Sequence, residues 1–172
     1  MQIFSPAQCV GYVAFVLGVT AFLQRSDRRL KGLNAAECVA YGVHFFLLGN
    51  PSAAASALVS AARNGLSLRF RSPLLAALIV CVNVLLGTLF ARSGAGWLPV
   101  IASCAATVAV FTLSGIPMRL VFLGCTLLWL ANNILSRSIG GTLLEAAIAV
   151  VSISTIVRLA VSPERVPAAP GA

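Results

Sequence analysis

Charge is the scarcest property of this sequence. Only 9% of its 172 residues are Asp, Glu, Lys or Arg, whereas soluble domains carry about 25%. Four acidic residues and one histidine leave little from which to build an enzyme. The motifs G-x-S-x-G, H-E-x-x-H and the phosphate loop are absent, so the chain reads as a non-enzyme. Cys9, Cys38, Cys81, Cys104 and Cys125 fall in five separate apolar segments without a C-x-x-C pair. They read as small buried hydrophobes. With one histidine and no cysteine cluster, neither a metal nor a cofactor is expected. The start lacks the charged region of a secretory signal, so its first apolar run reads as a retained helix. Period-2 alternation is missing, which argues against a barrel.

Apolar residues are what the chain has. They make up 59% of it, and mean hydropathy is +0.98. A small globule has a large skin to cover with polar groups and cannot hide so much apolar surface. The composition predicts an all-α, multi-pass membrane bundle in contact with the lipid bilayer. It excludes a secreted disulfide scaffold, a disordered chain and a soluble nucleic-acid binder. The net charge of +8 does not restore a nucleic-acid partner. The basic residues lie mainly between apolar runs, where they set topology and meet anionic lipid.

A membrane helix needs roughly 20 mostly apolar residues. Seven segments qualify or come close: 6–23, 33–48, 52–68, 73–91, 98–113, 118–135 and 141–161. Residues 1–161 read as one transmembrane domain, and 162–172, rich in Pro and Ala, as a disordered cytoplasmic tail. With seven crossings, Arg25, Arg28, Arg29, Lys31, Arg69, Arg71, Arg119, Arg158 and Arg165 fall on one side, and Arg92 and Arg137 on the other. The positive-inside rule then puts the N-terminus in the periplasm and the C-terminus in the cytoplasm.

Seven spans divide as three, one and three, and the single linking helix would give both triplets the same orientation. At an offset of 88 residues Tyr41 falls on Trp129, His44 on Asn132, Asn64 on Ser152 and Ser67 on Thr155. Such coincidences also arise from helical spacing alone.

Polar side chains in hydrocarbon are costly and face the bundle interior or a wet cavity. Glu37, Tyr41 and His44 share one helix face, with Glu37 expected near an interface. His44 is a candidate hydrogen-bonding or proton-exchanging group, or a neutral histidine satisfied by a neighbouring helix. In the third span Ser56, Ser60 and Asn64 sit at i, i+4 and i+8, and the serines, with Ser67, read as interhelical glue. Arg63 is expected to snorkel to the cytoplasmic interface; otherwise it needs Glu145 or Glu37 as partner. Asn132 and Asn133 offer donors and acceptors to a polar solute or to neighbouring backbone. Glu145 is explained by the dipole of a first helical turn.

Some of these strings resemble a known family. Gly42-Val43-His44-Phe45-Phe46-Leu47-Leu48-Gly49 does so, as does Ser138-Ile139-Gly140-Gly141-Thr142 followed by Glu145. Ala14-Phe15 with Gly18 and Thr20, Arg28-Arg29, Leu98-Pro99-Val100-Ile101 and Met118-Arg119 add to the likeness. Together they resemble the bacterial inner-membrane protein family typified by YgjV, over residues 11–158. The resemblance implies a small multi-pass protein of the bacterial inner membrane and supplies no catalytic residue. Asn132 stands where a histidine would mirror His44. The layout also looks like that of the SWEET and PQ-loop transporters, without their Pro-Gln dipeptide.

Two functions are therefore weighed. One is a SWEET-like facilitator of a small polar solute. It would bind through His44, Asn64, Asn132 and Asn133 meeting near mid-membrane, with Tyr41, Arg63, Trp129 and Glu145 in support. The other is a non-transporting scaffold, or a subunit of a membrane complex or homo-oligomer, with small-residue faces such as Ala53-Ala54-Ala55 as helix contacts.

Overall fold

The computed structural model describes residues 5–91, 94–135 and 139–161. The expected tail 162–172 lies outside them, as do Arg92, Arg137 and Arg165 of the charge count. Among the described residues there are seven α-helices: α1 (Pro6–Leu23), α2 (Asp27–Leu47), α3 (Pro51–Ser67), α4 (Pro73–Phe90), α5 (Trp97–Thr112), α6 (Gly115–Leu135) and α7 (Ile139–Val161). A short 3₁₀ turn, Gly94–Gly96, precedes α5.

Three helices open on one local device. Ser5, Asn50 and Ser72 each accept a backbone N–H three residues on, at 3.2–3.3 Å. A proline follows each cap, where its missing N–H costs nothing and its fixed φ suits the first turn. After α2 the chain reverses at Gly49, whose φ of +72° puts it in the left-handed region. The Asn50 N–H then reaches back to the Phe45 carbonyl at 2.9 Å, satisfying an end carbonyl.

The expected spans match these helices closely, except that α2 starts at Asp27 rather than 33. Its first turns carry Asp27, Arg28, Arg29 and Lys31, which an apolarity threshold discards although they are helical. Four helices, α1, α4, α6 and the greater part of α7, are long and apolar enough to cross a membrane, and α5 is a shorter apolar helix. The interior of α2 and α3 is polar instead. Glu37, Asn34, Ser56, Ser60, Arg63 and Asn64 are all buried, because α2 packs between α1 and α3, and α3 also meets α4 and α5.

The offset seen in the sequence governs the architecture. Asp27 and Gly115 start α2 and α6, Leu47 and Leu135 end them, and Pro51 and Ile139 start α3 and α7, each pair 88 residues apart. Packing repeats in the same way. The neighbours α1–α2 and α2–α3 correspond to α5–α6 and α6–α7, and the triplets meet along α1–α7 and α3–α5. The linking helix α4 packs on α3 and α5. Ala14 and its equivalent Ala102 are both fully buried, as are Leu30 and Met118. Small residues at such crossings let helices approach closely.

One end of the bundle gathers the basic side chains. There Lys31 Nζ donates to the Val110 carbonyl at 2.9 Å, so the start of α2 meets the end of α5. Its equivalent Arg119 donates to the Arg25 carbonyl at 2.9 Å, so the start of α6 meets the connection between α1 and α2. Asp27 accepts from Arg119 at 3.0 Å and from the Gly115 N–H at 2.7 Å. Thr155, in the last turns of α7, donates to the Phe22 carbonyl at 2.9 Å. These exchanged bonds fasten the two triplets together at the basic end.

Candidate functional site

A cavity of about 70 Å³ lies between the two triplets. Six pairs at the 88-residue offset line it: Asn34 with Phe122, Glu37 with Cys125, Cys38 with Thr126, Tyr41 with Trp129, Ala57 with Glu145, and Ser60 with Ile148. The repeat thus sets the frame of the cavity. Its chemistry has diverged, since each acidic member faces an uncharged equivalent. The volume admits a few waters or an occupant of a few heavy atoms, well below the roughly 300 Å³ of a drug-sized site.

Helix α2 delivers one polar row. Asn34, Glu37, Cys38 and Tyr41 follow the three- and four-residue spacing that stacks side chains on one face. Asn34 Nδ2 donates to Glu37 Oε2 at 3.1 Å, and the Cys38 thiol donates to the same oxygen at 3.3 Å. Behind them Asn64 Nδ2 donates to Asn34 Oδ1 at 2.6 Å. A relay of amides therefore runs from α3 to the Glu37 carboxyl. Glu37 was expected near an interface, but the relay and the cavity wall bury it to 6% exposure.

Arg63 does not snorkel. It is buried and turned toward α5, donating to the Ser103 carbonyl at 2.6 Å and to Ser103 Oγ and Thr107 Oγ1 at 3.4 Å. Ser60 Oγ meets Ser103 Oγ at 3.1 Å beside it. Arg63 forms no salt bridge among the described residues, and its Nε is without a partner. The small Ser103 lets the guanidinium reach main chain, which replaces the water it would otherwise seek.

Glu145 lies beyond the first turn of α7, which contains no acidic residue, so a helix dipole does not account for it. It is 6% exposed, lines the cavity, and makes no hydrogen bond or ion pair among the described residues. It lies close enough to Glu37 for the two carboxyls to interact electrostatically. Tyr41 and Trp129 close this part of the cavity with ring centroids 6.3 Å apart. The buried Tyr41 hydroxyl faces the Asn133 side chain without making a hydrogen bond.

His44, Asn64, Asn132 and Asn133 do not meet in one cavity; none of them lines the central one. His44 Nδ1 lies 2.8 Å from the Ala7 carbonyl, its ring stacked 5.8 Å from Tyr41. It borders a second, mostly apolar space of about 320 Å³ with Gln8, Gly11 and Gly141. Asn132 and Asn133 are buried near the end of α6, and Asn133 packs on Gly141 of α7. Asn64 reaches the cavity through Asn34. The residues named as supporting, Tyr41, Arg63, Trp129 and Glu145, all line the cavity. Asn34, Ser60 and Thr126 were missed. The 88-residue offset points to Thr126 through Cys38, but it sets Asn34 on Phe122 and Ser60 on Ile148 and so gives no signal for those two. Among the described residues no group of three His, Cys, Asp or Glu stands where it could hold a metal ion.

Comparison with known proteins identifies a family. The family described as bacterial inner membrane protein, Imp-YgjV, matches residues 5–162. Inner membrane protein YgjV of Escherichia coli (strain K12) is 36% identical over 152 residues, covering 88% of this chain and 83% of that protein. No solved structure matches. A multi-pass helical bundle whose sequence matches that family through all seven helices belongs to the YgjV family of bacterial inner membrane proteins.

Proposed function

We propose that the chain is a carrier for a small polar solute, in the manner of the SWEET-like layout, and that it catalyses no bond-making reaction. The observation that supports this reading is the cavity between the triplets, lined by equivalent residues of both and fastened at one end by bonds exchanged between them. Rocking one triplet against the other would break the contacts of Lys31, Asp27 and Arg119 and open the cavity toward the basic end. The positive-inside rule supports assigning that end to the cytoplasm, with the N-terminus periplasmic. The solute would meet Glu37, Tyr41, Trp129 and Glu145, with Arg63 held in the wall by Ser103 and Thr107 and Asn64 holding Glu37 through Asn34.

Uptake of labelled sugars, amino acids and amines into proteoliposomes tests the reading. Flux for at least one class is expected. Cross-linking Lys31→Cys to Val110→Cys should abolish it, and reduction should restore it. Absence of flux for every class, with stable copurification of a partner, would favour a scaffold. Flux indifferent to the cross-link would refute the rocking of the triplets.

A further inference from the structure

The ionisable groups lining the central cavity are unequal in sign. They are the guanidinium of Arg63 and the carboxyls of Glu37 and Glu145, so with all three ionised one negative charge is in excess. An uncompensated charge at membrane depth is expensive, and breaking a buried pair leaves such a charge behind. Arg63 spends its donors on Ser103 and Thr107, and Glu37 has Asn34 and Cys38. Glu145 has none of these; it is a buried carboxyl in the cavity wall without a hydrogen-bond donor among the described residues. Its neighbours include Tyr41, and the Tyr41 and Trp129 rings border the same space.

We propose that the cavity binds a small organic monocation, a primary or methylated ammonium, with Glu145 as its counter-charge and the Tyr41 and Trp129 rings against its alkyl groups. This rests on the carrier reading and names its class of solute. Aromatic faces attract ammonium groups, most strongly where water is excluded. One carboxylate supplies the missing negative partner. The cavity of about 70 Å³ limits the occupant to a few heavy atoms. A bare metal cation fits poorly, because hard cations demand about six or more converging oxygen ligands and, among the described residues, no group of three His, Cys, Asp or Glu stands where it could hold one. An anion would face two carboxyls, while the guanidinium that should attract it is turned into α5.

The test reads binding without transport. Thermal unfolding of the full chain in detergent is followed while ethylammonium chloride is titrated, with ethanol as neutral isostere and sodium chloride as ionic control. A saturable rise in Tm with ethylammonium alone is expected. Glu145→Gln should weaken the midpoint at least about tenfold, and Trp129→Leu about fivefold. Tyr41→Phe, which keeps the ring, should leave it within about twofold. Should Glu145→Gln fail to fold, Trp129→Leu and Tyr41→Phe still decide the matter.

An equal response to ethanol, or a midpoint unchanged in Glu145→Gln, overturns the proposal. So does a wild type that ignores ethylammonium while Glu145→Gln raises its stability, which would make a proton the neutralising charge. Flux of a neutral solute without ammonium binding would sink the cation and spare the carrier. Ammonium binding without any flux would support the site and refute the carrier.

Discussion

The bond between Asp27 and Arg119 is the clearest quantitative handle on how the triplets are held together. Arg119 is 4% exposed and Asp27 27%, with 3.0 Å between them. Fully exposed pairs are worth about 0–1 kcal/mol, and breaking a fully buried one costs about 3–5 kcal/mol. One partner here is dry and the other partly wet, so the coupling should be about 2 kcal/mol. Single substitutions confound it. Asp27→Ala also orphans the Gly115 N–H at 2.7 Å, and Arg119→Ala also abandons the Arg25 carbonyl. Asp27→Asn keeps an acceptor for Gly115 and is the better arm of a double-mutant cycle with Arg119→Ala. Reversible unfolding in a fixed detergent, by steric trapping or denaturant titration, should show the double variant less destabilised than the sum by about 2 kcal/mol. Additivity within about 0.5 kcal/mol would refute the bond as a fastening between triplets.

Further outcomes are expected for five single variants. Gly141→Ala would place a Cβ 2.7 Å from Asn133 and should cost about 1–3 kcal/mol. Gly124→Ala, which meets nothing within 4 Å, should gain up to about 1 kcal/mol from helix propensity; the two melting curves check both. Lys31→Met should lose about 1–3 kcal/mol in the same unfolding assay, because the Val110 carbonyl loses its buried donor. Ala102→Leu, at a fully buried crossing, should overpack and lower Tm, whereas Leu74→Ala, 81% exposed on α4, should leave it unchanged in detergent.

The apolar runs and their punctuation by Ser-Pro, Asn-Pro and Gly determined seven helices and nearly all their ends, because capping and backbone restriction act within a few residues. The same runs carried the family's strings and the 88-residue offset. Local pattern failed at Asp27–Lys31, where a helix stays helical although charged, and it could not say where a polar residue points. Arg63 has the spacing of a side chain that escapes to an interface, and only the nearness of Ser103 turns it inward. Glu145 has the look of a first-turn acid, but α7 begins at Ile139 and leaves it about two turns in, in the wall of the cavity that Tyr41 and Trp129 also line. Likewise His44 and Tyr41 share a face, while Tyr41 borders the central cavity and His44 only the outer space. The tertiary structure decided these matters because a side chain's surroundings come from other helices, and no spacing within one helix contains them.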